Sequence, residues 1–288
     1  MRFSFAESMV EPSQLFTLAV EAERAGFTSF TVPDSLCYPE RSETKYPYYG
    51  DGSREFLENK PFIEPFVLIP ALAAVTERLR FTTFVLKLPI RDPVLVAKQT
   101  ASIAVLSHDR LGLGVGLSPW PEDFAATGVA WKGRGRRTDE MIEILRGCWS
   151  GDYYEFHGAH FDLPSLKICP VPNTPIPILV GGHSEAALRR AARLGDGWMH
   201  AGGDPAQLDA HLDRLAGLRK EYGRENDPFE IHVISLDGFS VAGARRLAEK
   251  GVTDCIVGFR NAYEQDTTPL QQKVDAIRGF GEQVISKV

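Results

Sequence analysis

A single joint recurs along the chain and constrains its fold more than any other feature. Ala22-Glu23-Arg24-Ala25-Gly26 leads into Phe30-Thr31-Val32, Ala191-Ala192-Arg193-Leu194-Gly195 into Trp198-Met199, and Leu247-Ala248-Glu249-Lys250-Gly251 into Cys255-Ile256-Val257. Each reads as a helix end, a glycine stop, a short turn and a buried strand. Glycine supplies the left-handed position that ends helices at low cost. Helix-to-strand joints of this kind argue for parallel strands, because hairpin connections need no intervening helix.

The rest of the chain fits the same alternation. Strands are expected at 2–6, 29–32, 79–88, 111–117, 176–180, 229–235 and 253–257, with a further one at Trp198-Met199. Helices are expected at 12–25, 62–77, 93–106, 137–149, 184–194, 204–222, from Ser240, and at 270–285. Asp92-Pro93 is a strong helix start, since Asp caps and Pro at the first helical position gives up no needed donor. Eight strand–helix units close an α/β TIM-like (β/α)8 barrel, with a doubly wound open sheet as the alternative. The whole chain, 1–288, is expected to form one barrel domain with insertions at about 37–61 and 151–175.

Both insertions interrupt the alternation. The first carries Tyr38, Tyr46, Tyr48, Tyr49 and Gly50-Asp51-Gly52 and follows the second strand, so it is expected to wall or cover the active-site face. The second carries Pro164, Pro170, Pro172 and Pro175.

Composition excludes several classes. With 38 acidic and 32 Lys and Arg residues, the formal net charge is −6, a poor balance for neutralising nucleic-acid phosphates. No apolar run approaches the ~18 residues of a membrane span. Four scattered cysteines, with no CxxC spacing, read as reduced thiols. An acid at Glu7 argues against a signal peptide, and a cytoplasmic location is expected.

The best local signal for chemistry is Ile178-Leu179-Val180-Gly181-Gly182-His183-Ser184. A strand ends in two glycines and a helix begins at Ser184, which is how a backbone cradle for a phosphate is built. The alternative is a plain turn with a serine cap. Gly112-x-Gly114-x-Gly116 lacks the third spacing of a dinucleotide fingerprint. It reads either as a strand against which something flat lies or as close packing inside the barrel. His157-x-x-His160 with Cys169 is too loose for zinc and reads as a hairpin around Gly158, so no metal site is expected. The basic run Lys132, Arg134, Arg136 and Arg137 reads as a solvated face, with a phosphate or subunit contact as the sharper alternative. No GxSxG, HExxH or P-loop pattern appears.

Several segments are familiar together. Leu88-Pro89-Ile90-Arg91-Asp92-Pro93-Val94-Leu95-Val96-Ala97-Lys98-Gln99, Leu106-Ser107-His108-Asp109-Arg110-Leu111, Gly114-Val115-Gly116, Trp120-Pro121-Glu122-Asp123-Phe124 and Gly181-Gly182 followed by Gly195-Asp196-Gly197-Trp198 resemble the bacterial-luciferase-like superfamily. The nearest branch is the actinobacterial oxidoreductases expected to use the deazaflavin coenzyme F420. The resemblance spans about residues 1–200. It implies a small organic substrate, F420 or alternatively FMN at the barrel mouth, a homodimer, and a non-proline cis peptide near Thr83-Phe84. It also implies that Thr82, Thr83, Phe84 and Gly116 meet the cofactor ring, that Gly181, Gly182, His183 and Ser184 hold its phosphate, and that Asp34, Ser35, Trp120 and His200 face the reaction. The chain departs from the sugar-phosphate dehydrogenase branch at two places. Asp34-Ser35 stands where that branch has Asp-His, and Leu117-Ser118-Pro119 stands where it has an acid. The expected activity is therefore hydride transfer between F420 and an organic substrate. An FMN-dependent, oxygen-using monooxygenase is the alternative, and a non-catalytic flavin-binding protein the third reading.

Overall fold

A computed structural model describes residues 1–46 and 52–288; the expected lid residues Tyr48, Tyr49, Gly50 and Asp51 lie outside the described residues. In chain order the elements are β1 (Arg2–Ala6), α1 (Leu15–Arg24), β2 (Ser29–Val32), α2 (Pro65–Ala73), β3 (Arg80–Thr83), β4 (Leu86–Lys87), α3 (Pro93–Leu106), β5 (Leu111–Gly116), α4 (Pro121–Thr127) and α5 (Arg134–Trp149). They continue with β6 (Tyr154–His157), β7 (Asp162–Leu166), β8 (Ile178–Gly181), α6 (Glu185–Leu194), β9 (Gly197–His200), α7 (Pro205–Glu221), β10 (Glu230–Ile234), α8 (Val241–Glu249), β11 (Asp254–Val257) and α9 (Leu270–Gln283).

Every barrel pairing is parallel, in the order β3-β2-β1-β11-β10-β9-β8-β5, and β3 pairs back onto β5. That last pairing closes the ring and excludes the open sheet. β3 and β4 are two pieces of one barrel strand, so eight parallel strands form the wall and the helices surround them.

Side chains at the strand–helix boundary explain the element ends. Asp92 accepts the Leu95 N–H at 2.9 Å and Ser240 the Gly243 N–H at 3.1 Å, each satisfying a donor left over at a helix start. Gly26 and Gly251 take the left-handed conformation at φ 92° and 85°. Gly195 does not: it is extended, with φ −82° and ψ 159°. It is a glycine for steric reasons, since a Cβ there would lie 2.8 Å from the Ala191 carbonyl oxygen and 2.9 Å from that of Gly197. α2 is shorter than the periodicity predicts. Glu64 caps its start, and beyond its end Glu23 accepts the N–H groups of Glu77, Arg78 and Leu79, holding that stretch out of the helix. The expected hairpin around Gly158 forms as antiparallel β6 and β7. Arg134 and Arg137 of the basic run are not fully solvated. They lie over the rings of Trp131 and Phe161 at 3.5 and 4.3 Å.

The barrel interior has a polar floor and an apolar cap. At the N-terminal strand ends Glu230 contacts Arg2, Arg80 and His232 at 3.0, 2.9 and 2.7 Å, while Asp254 holds Arg2 at 2.6 Å. Toward the other end Leu179, Met199 and Ile256 pack with Phe84, Val85 and Ile234. The floor is a stability device and the C-terminal ends form the mouth. β5 explains its glycines here: a Cβ at Gly114 would sit 1.9 Å from the Thr83 carbonyl oxygen. Close packing is the reason for that glycine.

Candidate active site

Asp34 follows the end of β2 and is buried, with its side chain 2% exposed. Its Oδ1 lies 2.9 Å from Arg91 Nη2, and its Oδ2 accepts the Lys87 N–H at 2.8 Å. Arg91 also reaches Glu64 at 3.0 Å. Asp34 therefore ties the second strand end to the third and to the start of α2. Ser35 lines a recess of about 250 Å³ with Leu36, Cys37, Tyr38, Leu57 and Phe62 under the first insertion.

The non-proline cis peptide is Phe84–Val85, one residue beyond the expected place. It falls in the gap between β3 and β4. Thr82 and Thr83 are fully buried. Thr82 Oγ1 is 3.0 Å from Ser29 Oγ, and Thr83 Oγ1 donates to the Gly114 carbonyl at 2.7 Å. These hydroxyls serve the barrel interior, while the half-buried Phe84 and Val85 stand toward the mouth. The Val85 methyls take the space that Gly116 and Gly181 leave. A Cβ would come within 2.6 Å of Val85 at the first glycine and 2.9 Å at the second.

The next wall is aromatic. Trp120 precedes α4 and is 7% exposed. Tyr46 stacks on it at 5.6 Å and 15°, and the Arg54 guanidinium lies 4.2 Å from its ring. Phe56 and Tyr263 meet edge to face at 4.9 Å, and Tyr46 is 6.1 Å from Tyr263. The first insertion thus folds over the mouth onto the loops after β5 and β11. Beneath it is a pair that sequence reasoning missed. Lys87 Nζ lies 2.7 Å from Asp123 Oδ2, with the two side chains 8% and 2% exposed. Ser118 donates to the same carboxylate at 2.6 Å. The missed signal was Pro121-Glu122-Asp123, a helix start with acids in its first turn.

The turn after β8 joins a positive-φ glycine to a capped helix N-terminus. Gly182 adopts φ 120°, which L side chains rarely take, and Ser184 caps α6 by accepting the Ala187 N–H at 3.3 Å. The Gly182 carbonyl accepts the Trp198 indole N–H at 2.9 Å, fixing the turn to β9. His183 stacks on His200 at 4.4 Å, and His211 of α7 lies 5.1 Å from His183. His183 Nε2 accepts the Ala201 N–H and His200 Nδ1 the Gly202 N–H. His200 is 2% exposed. Burial, and then the neighbouring imidazoles, push its pKa down to about 4. Burial and His211 push His183 down as well. His200 is therefore neutral near pH 7 and lies behind His183. His211 Nδ1 is buried without a hydrogen-bond partner. A backbone that only glycine adopts readily, a helix N-terminus and imidazole nitrogens in one place fit the phosphate of a nucleotide-like cofactor.

Comparison with known proteins agrees with this fold. The profile of the luciferase-like monooxygenase family matches residues 4–278. An uncharacterized protein of Mycobacterium tuberculosis is 59% identical over 290 residues, covering all of both chains. An F420-dependent glucose-6-phosphate dehydrogenase of Amycolatopsis mediterranei is 29% identical over 216 residues, covering 73% of this chain and 59% of that protein. Two solved structures share the fold. One is an F420-dependent secondary alcohol dehydrogenase in complex with an F420-acetone adduct (TM-score 0.77, 16% identity, all of both chains). The other is the monooxygenase RslO1 of Streptomyces bottropensis (TM-score 0.77, 18% identity, 99% of both chains). A closed eight-stranded barrel with a broken third strand and a glycine turn after β8, matched by that profile over nearly its whole length, belongs to the luciferase-like monooxygenase family.

Proposed function

We propose that the protein transfers hydride between coenzyme F420 and a small organic substrate at the barrel mouth. The observation that carries this reading is the cradle at Gly181, Gly182, His183 and Ser184 beside the wall formed by Phe84 and Val85. Bound deazaflavin supplies the hydride chemistry, so the protein's task is to bind, orient and exclude water.

The turn holds the phosphate through backbone N–H groups and the α6 N-terminus. Val85, braced by the space over Gly116 and Gly181, backs the ring with Phe84. Trp120, with Tyr46 stacked on it, bounds the substrate side and dries it. Asp34 positions the third strand end through the Lys87 N–H and Arg91, and Ser35 borders the substrate recess. His200 acts as a neutral support for His183. The buried Lys87–Asp123 pair sets the charge beneath Trp120. The FMN-dependent monooxygenase is the second reading, favoured by the aromatic cover over the mouth, because oxygen chemistry needs a site closed to water. A non-catalytic role fits less well, because all eight barrel strands are present.

The protein is further proposed to be a homodimer through α2 and α3. Val67, Leu95 and Leu106 are 66%, 62% and 70% exposed on these helices, an apolar surface that a second copy would cover. No helix among the described residues is long and apolar enough to cross a membrane, and the thiols of Cys37 and Cys169 are free and exposed. A cytosolic setting suits such thiols.

Incubation with oxidised or reduced F420 and a panel of small alcohols and carbonyl compounds, followed by cofactor absorbance, tests the activity. Substrate-dependent F420 turnover is expected. Turnover only with reduced FMN and oxygen would replace this reading with the monooxygenase.

A further inference from the structure

A buried ammonium near the barrel mouth keeps donors that the fold does not use. Side chains two residues apart on a strand share a face. Val85 packs with Leu179, Met199 and Ile256 inside the barrel, so Lys87 is directed to the same inner face, one step nearer the mouth. Its Nζ lies 2.7 Å from Asp123 Oδ2, with 8% of the side chain exposed, yet it makes no well-directed hydrogen bond. An ammonium carries three N–H donors, and leaving them unmet in a buried place is costly. Asp123 Oδ2 also accepts the Ser118 hydroxyl, whose oxygen accepts the Trp120 N–H at 3.0 Å. The segment after β5 therefore holds the pair in place.

The recess of about 250 Å³ under the first insertion adjoins this pair. The link is Cys37, which lines the recess. Burial raises its thiol pKa first, and the charges that act on it next are Asp123, Lys87, Arg54 and Glu122. Ser35, Tyr38, Asn59 and Lys60 bring donors to the recess, and Leu57 and Phe62 bring apolar surface. No carboxylate lines it among the described residues, and Lys60 forms no ion pair among them. Lys60 also borders a neighbouring recess that carries Glu11 and Asp266, where Lys273 holds Asp266. Arg54 is spent on Glu122 at 3.6 Å and on the Trp120 ring at 4.2 Å. Donors, an uncompensated ammonium and an apolar wall complement a small organic monoanion.

We propose that this recess selects a small hydroxy or oxo acid. Lys60 and Asn59 receive its carboxylate, Leu57 and Phe62 its carbon skeleton, and Lys87 the oxygen on the carbon that exchanges hydride. The inference rests on the reading of the mouth as a hydride-transfer site and names the substrate class of that site. A neutral alcohol or ketone of the same shape gives Lys60 no counter-charge and is the poorer ligand.

The test is calorimetric titration of the intact protein, alone and with reduced F420, a state in which a hydroxy acid has no hydride acceptor. The probes are mandelate, phenylacetate and phenylacetamide, which share one skeleton. Phenylacetate should bind about tenfold more tightly than phenylacetamide, and mandelate more tightly than phenylacetate. Lys60→Met should weaken both acids about tenfold and leave F420 affinity unchanged. Lys87→Met should erase the preference for mandelate and leave phenylacetate bound. The double variant Lys87→Met with Asp123→Asn removes both charges of the pair, so that no orphaned carboxylate unfolds the site, and it should show the same loss. With oxidised F420, mandelate should exceed benzyl alcohol about tenfold in kcat/KM. Phenylacetamide bound as tightly as phenylacetate, acid binding unchanged in the folded variants, or faster turnover of the neutral alcohol overturns the inference; F420 binding in those cases leaves the hydride-transfer reading standing. Acids bound as expected, with neither F420 nor FMN bound, support the acid site and overturn the hydride-transfer reading.

Discussion

Replacing His200 by Asn should change how stability depends on pH in a way calculable from the fold. The His200 pKa is held at about 4 against an ordinary 6.5. Burial costs the charged form its hydration, and the imidazoles of His183 and His211 oppose a further charge. The unfolded chain therefore binds a proton at His200 below pH 6.5 while the folded chain does not. Stability is full above 6.5, declines by about 1.4 kcal/mol per pH unit as pH falls, and levels off below about 4. The 2.5-unit difference between 6.5 and 4 amounts to about 3 kcal/mol in total, and about 2 kcal/mol is already lost at pH 5. Urea unfolding of the wild type and His200→Asn across this window gives the comparison. The variant begins less stable at neutral pH, having lost a packed ring, and the two curves should converge as pH falls. Curves that stay parallel would refute a buried neutral His200.

Other consequences concern separate parts of the barrel. Burial raises the Glu230 pKa, but His232, Arg80 and Arg2 outweigh it and hold the group at about 2. Its contribution is complete above its ordinary 4.5 and is lost as pH falls toward 2. Glu230→Gln should cost about 3 kcal/mol in urea melts at neutral pH, by leaving the floor cations unpaired, and leave cofactor affinity unchanged; a cost under about 0.5 kcal/mol would contradict a paired floor. Gly182→Val places a side chain at φ 120° with its Cβ 3.1 Å from that of Ala187. It should weaken cofactor binding at least tenfold, about 1.4 kcal/mol, as read by quenching of Trp198, and unchanged affinity removes the phosphate assignment. Leu95→Asp should convert a dimer to a monomer in light scattering after size exclusion, whereas an unaltered mass would move the interface off α3.

The alternating elements were readable because glycine stops and Asp or Ser caps are local chemistry. What depends on distant contacts was not. The periodicity of 79–88 reads as one strand, yet the cis peptide after Phe84 divides it, and no local signal fixed its place to the residue. The glycines of β5 offered two readings, and only the approach of Thr83 to Gly114 decides for packing. The proposed anion-binding turn Gly181–Ser184 was suggested by the seven residues Ile178–Ser184 alone. His211 was not, because it lies among ordinary helix residues of α7 and acquires meaning only when α7 packs against β9. Lys87 was hidden inside the expected strand 79–88, and Asp123 was read only as part of the Trp120–Phe124 family segment, not as a buried partner for a lysine. The stacking of Tyr46 and Arg54 on Trp120 joins segments more than sixty residues apart, which pattern alone cannot pair.

The central claim is that the barrel mouth binds a phosphate-bearing deazaflavin or flavin. Titration of the apoprotein with F420 and with FMN, following tryptophan quenching, tests it most directly. The account predicts saturable binding of F420 with Kd below about 100 μM, roughly −5.5 kcal/mol. Tighter binding of FMN would shift the chemistry toward oxygen, and binding of neither cofactor would contradict the account.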